Sequence, residues 1–405
     1  MINNLALICY HTCPLNPPGE GKSGGMNVYV SELASSLSKM GIHIDIFTRA
    51  HPGHDHIEHL NKAVRIIHLD DESVETDPND LINNAPIFKN KLRHFIEFNG
   101  TPYQIFHSHY WLSAFITEQL SVELNVPHVT TFHTLAKLKM QSGLGTQESQ
   151  TRISTEQQII QDTTKIIAFS RNEKDAIVNL YGGNPEKIAT LPCGVDLSLF
   201  KPNDIGLARR KLGLENNNVL LSVGRLESLK GIDLLLRASA YINSPKPLKV
   251  LIAGGDSETS YRNQYLASLV EKLNLNEIVD FIGQVDHQDL PQYYNAADVC
   301  VVPSLYESFG LVALESMACG TPVIASRVGG LPTIIKHGST GYLKSWRCPE
   351  TFAASIEMIV KNPNLQQTMG LKARSRAETM SWYHLANNMV SIYDSMAHNK
   401  HYARI

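Results

Sequence analysis

DVCVVPSLYESFGLVALE, residues 298–315, starts as a strand and finishes as a helix. Its apolar run 299–302 lacks polar alternation, the mark of a parallel strand covered on both faces. Pro303 and Ser304 break the run, and Gly310 opens a helical pattern. The amides of Ser308, Phe309, Gly310 and Leu311 then have no intrahelical partners and point at the C-terminal edge of a sheet. Unpaired amides and the helix dipole make that edge an anion site. Glu307 precedes the helix, and Glu315 lies about one and a half turns inside it. Carboxylates only accept hydrogen bonds, so beside an anion they suit sugar hydroxyls rather than phosphate. A capping carboxylate and a surface glutamate would give the same spacing with no ligand.

The same rhythm runs outward from this stretch. Upstream in the second half, strands are expected at 218–223, 248–253 and 278–282, and downstream at 322–325. Helical patterns at 231–243, 259–273, 289–296, 310–319 and 350–378 separate or follow them. The first half shows strands at 5–9, 43–48, 64–69, 104–107, 128–132, 165–169 and 187–191. Helical patterns lie at 27–40, 80–98, 111–124, 149–162 and 171–181. Such alternation predicts an α/β protein, with parallel sheets covered by helices on both faces. The turn-rich segment LPCGVDLSLFKPND, residues 191–204, is the natural boundary. We therefore expect one domain over 1–196 and a second over 197–380. The amphipathic stretch 381–396 has no strand beside it.

Bulk properties narrow the function. A chain of 405 residues fits two domains at about 150 residues or more each. Lys and Arg total 36 against 39 Asp and Glu, a net charge of −3, so no nucleic-acid partner is expected. No uncharged apolar run reaches about 18 residues, so no membrane span is expected. The start MINNLALICYHTCP reads as a strand, not a signal peptide. Six cysteines without a C-x-x-C pair suggest reduced thiols and a cytoplasmic location.

Three patterns mislead. GEGKSG, 19–24, matches G-x-G-x-x-G, with Asp45 downstream. About ten residues separate it from the first strand, and Asp45 falls inside its own strand, so a nicotinamide site is disfavoured. Gly21-Lys22-Ser23 resembles the end of a P-loop, but its first glycine falls on Asn16. His51, His54, His56 and His59 read as a solvated loop after a strand, without a helical face or a partner acid. No metal ligand is assigned.

Other strand ends carry chemistry. In VGRLESLKG, 223–231, Arg225 and Lys230 can neutralise a diphosphate from the sheet edge that also carries Gly310. Gly24 and Gly25 in GGMNVYV, 24–30, let backbone approach a ligand at a helix start. His107, His109, Tyr110, His133 and Thr134 cluster at two adjacent strand ends. No Asp-x-Asp pair is present to hold a nucleotide sugar through a metal.

ESFGLVALE with the upstream GRLESLKG resembles the donor site of the retaining glycosyltransferases of family 4, which have the GT-B fold. The resemblance spans essentially the whole chain. GGMNVYV, FTRA (47–50), HSHYWLS (107–113), HTLAKLK (133–139), Glu148-x-x-x-Arg152 and EQQ (156–158) resemble the inositol-phosphate branch. Bacterial sucrose-phosphate synthases share much of the pattern. The resemblance implies two Rossmann-like domains facing a cleft, with helix 381–405 crossing back to the first. It implies a UDP-sugar donor and a small phosphorylated acceptor. Arg225 and Lys230 would bind the diphosphate, and Glu315 the ribose. Glu307 and the amides of Ser308, Phe309, Gly310 and Leu311 would hold sugar and phosphates. Gly24 and Gly25 would approach the diphosphate, and Val285 would meet the uracil. His133 would sit near the reacting carbon. Asn27, Tyr110, Thr134 and Arg152 would serve the acceptor.

Two positions depart from that branch: Pro78 replaces a lysine, and Lys22 replaces an aspartate. Lys22 is therefore a candidate acceptor cation in compensation. No cofactor is required, and Mg²⁺ is compatible but not implied. A homodimer is expected by analogy alone. Alternatives are transfer of glucose to fructose 6-phosphate, a nonhydrolysing UDP-sugar epimerase and a nicotinamide-dependent oxidoreductase.

Overall fold

The computed structural model describes residues 2–16, 24–51, 55–72, 77–143, 147–255 and 261–398. The first sheet comprises β1 (Asn4–Cys9), β2 (His43–Arg49), β3 (Ile57–Asn61), β4 (Val64–Leu69), β5 (Ile105–His109), β6 (His128–Thr131), β7 (Lys165–Ala168) and β8 (Ile188–Thr190). Their spatial order is β3-β4-β2-β1-β5-β6-β7-β8. All pairings are parallel except β3 with β4. The second sheet contains β9 (Asn218–Val223), β10 (Leu248–Ala253), β11 (Val279–Gly283), β12 (Val299–Val302), β13 (Val323–Ser326) and β14 (Gly341–Lys344). Its order is β11-β10-β9-β12-β13-β14, entirely parallel.

Strand order reverses at β1 in one sheet and at β9 in the other. Connections leave a reversal point in opposite directions, opening a crevice beyond the strand C-termini. Two polar-rich ends, GRLESLKG after β9 and SLYESFG after β12, therefore share one crevice. The continuous apolar runs explain the burial: β1 is buried from Leu5 onward, and β12 throughout.

Every strand expected from sequence is present. β3 and β14 are additions. β3 (IEHLN) is polar and lies at a sheet edge, paired with β4 alone, so it carries no core-strand signature. It also places His59 in a strand where a loop was expected. The expected helix 350–378 is two helices, Pro349–Val360 and Pro363–Glu378. The Asn362 side chain accepts from the Leu365 amide at 3.1 Å, and Pro363 takes the first helical position. Helix Ile205–Leu212 was not anticipated. Asp204 caps its start, and Gly213 ends it in the left-handed region.

The largest core is continuous between the halves. It joins one face of the first sheet, through Leu385, Met389 and Tyr393 of helix Trp382–His398, to Val219 and Leu221 in β9 of the second. That helix packs on Gly25–Ser38. Asp394 accepts from the Ile2 amide at 2.8 Å, and the Tyr393 hydroxyl bonds His107 Nδ1 at 2.7 Å. The C-terminal helix thus crosses back to the first domain. No helix among the described residues is long and apolar enough to cross a membrane. None of the six cysteines is paired; five are buried and Cys348 is half-buried.

The chain passes between the halves twice, and the two passages touch. Val195 N–H donates to the Met380 carbonyl at 3.0 Å, and Val195 bridges Ser381. A Cβ on Gly194 would lie 2.4 Å from the Trp382 nitrogen. Backbone on both sides cannot yield as a flexible side chain can. Gly194→Ala should therefore destabilise the chain by about 1–3 kcal/mol, the range for overpacking. Denaturant titration checks this; an unchanged midpoint would mean that the crossing yields freely.

Candidate active site

A cleft of about 690 Å³ lies between the C-terminal edges of the two sheets. Its first wall includes Gly24, Gly25, Asn27, Tyr110, His133, Thr134 and Arg152. Its second includes Arg225, Lys230, Val285, Glu307, Ser308, Phe309, Gly310, Leu311 and Glu315. The donor, acceptor and catalytic residues expected from sequence line that cleft, apart from Lys22, which lies outside the described residues; His107 and His109 are buried behind His133 and do not line it.

The second wall is shaped by close backbone packing. Gly310 takes φ 103°, a left-handed conformation that starts helix Leu311–Ala318 abruptly. A Cβ on Gly329 would lie 1.6 Å from the Glu307 carbonyl oxygen, and Gly330 N–H donates to that oxygen at 3.1 Å. The 307–310 turn, which lines the cleft, is thus clamped against Gly329 and Gly330. Lys230 Nζ meets Glu307 Oε2 at 2.8 Å, and Arg225 Nη1 meets Glu227 Oε1 at 2.8 Å. Both pairs are partly solvated and contribute little to stability. They instead fix two cations beside the helix start.

Glu315 is buried at the inner end. It accepts from Tyr294 Oη and His287 Nε2, each at 2.9 Å. Burial works against a charge on His287, but the hydrogen bond and charge of Glu315 outweigh it, aided by Glu32 and Asp196. The imidazole is therefore held above its ordinary value.

The first wall approaches closely. A Cβ on Gly25 would sit 3.4 Å from Leu311 Cδ1, so the two helix starts nearly meet. Asn27 is 2% exposed. Its Oδ1 accepts from Gly24 N–H at 3.2 Å, while Nδ2 donates to the Cys13 carbonyl at 2.6 Å and to Thr12 Oγ1 at 3.1 Å. Its amide thus holds the loop after β1. His133 has φ 60°, which turns its ring into the cleft after β6. His133 Nε2 bonds His109 Nδ1 at 3.0 Å, and His107 stacks on His109 with centroids 4.3 Å apart. Burial, reinforced by neighbouring histidines, pushes His107 and His133 well down; burial alone takes His109 to about 3. All three imidazoles are neutral near pH 7.

At the outer end, Arg152 is almost fully engaged. It donates to Glu156 at 2.8 Å, to Glu148 at 2.9 Å and to Thr134 Oγ1 at 3.0 Å. Its guanidinium lies 5.1 Å from the Tyr110 ring centroid. Lys139 also reaches Glu148, at 2.7 Å. Pro78 starts the helix Pro78–Leu81 and lines the cleft.

Sequence reasoning missed His11, His287 and Lys139, which also line the cleft. His11 stacks on Tyr110 with centroids 4.2 Å apart. His11 follows β1 and His287 follows β11, so extending the strand-end argument to every strand would have found both. Lys139 lies in HTLAKLK, but its position in a short helix was not legible.

A raised histidine value ties stability to pH. The His287 contribution is fully present below the ordinary value of about 6.5. It fades as pH rises through the higher folded value. His287→Gln keeps a donor but removes the charge, so it should cost about 1 kcal/mol near pH 6. The cost should vanish at alkaline pH. Unfolding midpoints of both forms across pH test this; a pH-independent difference would contradict it.

Comparison with known proteins matches this architecture to glycosyl transfer. Residues 23–199 match the family described as Glycosyltransferase Family 4, and residues 204–376 match Glycosyl transferases group 1. A D-inositol 3-phosphate glycosyltransferase from Thermobifida fusca is 37% identical over 97% of this chain and 94% of its own length. One from Corynebacterium diphtheriae is 34% identical over 98% and 96%. A sucrose-phosphate synthase structure from Thermosynechococcus elongatus superposes with a TM-score of 0.90 at 34% identity, covering 97% of this chain and 99% of that one. With two parallel-sheet domains facing a cleft and full-length likeness to these enzymes, the chain belongs to glycosyltransferase family 4 and has the GT-B fold.

Proposed function

We propose that the chain moves a hexosyl group from a UDP-sugar to a hydroxyl of a small phosphorylated polyol or sugar, with retention. One observation carries this reading: Lys230 paired with Glu307 at 2.8 Å, beside the clamped amides at the start of Leu311–Ala318. Arg225 lines the same cleft, with Gly25 opposite. Cations and amides suit a diphosphate; carboxylates suit hydroxyls. Arg225, Lys230 and the amides of Ser308 to Leu311 would neutralise the leaving diphosphate, with Glu307 on the sugar. Glu315 would take the ribose hydroxyls, and Val285 would meet the base.

In this mechanism the bond from the anomeric carbon to the diphosphate oxygen breaks as the acceptor oxygen bonds that carbon from the same face. The acceptor proton passes to the departing phosphate oxygen. No covalent enzyme intermediate is required. His133, neutral and oriented by His109, would hydrogen-bond sugar hydroxyls near the reacting carbon. Residues 1–196, with the C-terminal helix, would close on 197–380 and exclude water. The unpaired cysteines support a reducing, cytoplasmic setting.

Tyr110, Thr134 and Arg152, with Lys139 beside them, would receive the acceptor phosphate. Full-length relatives named for inositol 3-phosphate support a phosphorylated polyol. The sucrose-phosphate synthase likeness supports a second reading, glucose transfer to fructose 6-phosphate. Pro78 gives that alternative weight, because it removes a cation at the acceptor end.

The test is a matrix of UDP-, GDP- and ADP-sugars against phosphorylated and unphosphorylated acceptors, read by nucleotide release and product mass. Turnover confined to phosphorylated acceptors is expected; turnover with neutral acceptors alone would overturn the acceptor assignment. Arg225→Ala and Lys230→Ala should each lower kcat by about 10²–10³, the scale of one charge-stabilising donor. Arg171→Ala, with a 91% exposed side chain, should leave kcat unchanged. An unimpaired Arg225 or Lys230 variant would remove the proposed diphosphate clamp.

A further inference from the structure

Three metal-ligating side chains meet beside the cleft. Cys13 lies in the loop after β1, His51 follows β2, and His68 stands near the end of β4. These are neighbouring strands in the first sheet, so their C-terminal ends converge. One ligand atom from each residue lies within 4.8 Å of the other two. Cys13 and His68 are buried, and His51 is half-buried.

The local geometry orients these atoms. His68 Nδ1 faces the Asp55 carbonyl at 2.8 Å. A carbonyl only accepts, so Nδ1 carries the hydrogen and Nε2 presents its lone pair. That nitrogen lies 3.3 Å from Cys13 Sγ. Zinc about 2.3 Å from sulfur and about 2.0 Å from nitrogen holds two tetrahedral ligands about 3.5 Å apart. The Cys13–His68 pair already has this spacing. Leu15 N–H also donates to the sulfur at 3.4 Å. The His51 and His68 rings lie edge to face with centroids 5.5 Å apart.

We propose that Cys13, His51 and His68 bind a borderline-soft divalent cation, best fitted by Zn²⁺, with water as the fourth ligand. Binding replaces the proton shared by Cys13 and His68: the thiol becomes a thiolate, and one proton goes to solvent. The site stands outside the cleft and does not depend on the sugar transferred. It nevertheless touches the cleft wall. Cys13 follows Thr12, which lines the cleft, and the Cys13 carbonyl holds Asn27, which in turn holds Gly24. The cation would fix the β1 loop against the first helix start, a structural role rather than a chemical one.

The experiment uses the full chain, Zn²⁺ and a competing chromophoric chelator, followed by elemental analysis after gel filtration. About one Zn²⁺ per chain is expected. Cys13→Ser and the half-buried His51→Gln should each weaken binding at least about tenfold. The exposed His59→Gln should not. Co²⁺ loading should give a thiolate charge-transfer absorption that Cys13→Ser abolishes. Zn²⁺ should raise the unfolding midpoint of the native chain but not of Cys13→Ser. Substoichiometric zinc, or equal binding by all three variants, would overturn the site.

Discussion

The two passages of chain between the halves are tied by one backbone contact, the Val195 amide on the Met380 carbonyl at 3.0 Å. The chain leaves the first half once and returns once, and Gly194 has no side chain, so the two passages lie against each other. The passages thus join the two halves side by side, beside the continuous core. The returning helix then adds Tyr393 beneath His107, whose ring stacks on His109, which holds His133. A cleft residue of the first half is thus supported by the last helix of the chain. The crossing contact and the histidine orientation both rest on the returning chain.

Charge in the cleft follows a second pattern. Arg225, Lys230, Lys139 and Arg152 each have a carboxylate partner: Glu227, Glu307, Glu148, and Glu148 with Glu156. An arriving phosphate would meet no bare cation among these four and would have to exchange with a carboxylate. Exchange keeps the cations positioned beforehand and weakens attraction for arbitrary anions. The central imidazoles are neutral, because burial among other histidines disfavours a proton.

Most of the fold was legible because parallel strands covered on both faces leave unbroken apolar runs, as in β1 and β12. Edge strands do not: β3 carries Glu58, His59 and Asn61 and pairs on one side, so its sequence resembles a loop. The break at Asn362–Pro363 was legible in principle, since Asn before Pro is a helix-start signal. The cleft residues were legible where they sit in compact motifs, such as ESFGLVALE. The meeting of Cys13 with His51 and His68 was not. Local spacing gave no pattern, and only the adjacency of β1, β2 and β4 brings them together. Arg152 was found, but its engagement by Glu148 and Glu156 required three dimensions.

The distribution of thiols has a practical consequence. Burial drives Cys9 and Cys193 well up, takes Cys13 to about 11, and takes Cys300 to about 12. Cys319 is also buried and raised. Cys348, at the start of Pro349–Val360, has access to solvent. Among the six thiols it is the ready target for a thiol-reactive fluorophore. A dye placed there labels the second half of the native chain without engineering. Paired with a label on the first half, it turns the separation of the halves into a distance that light can follow.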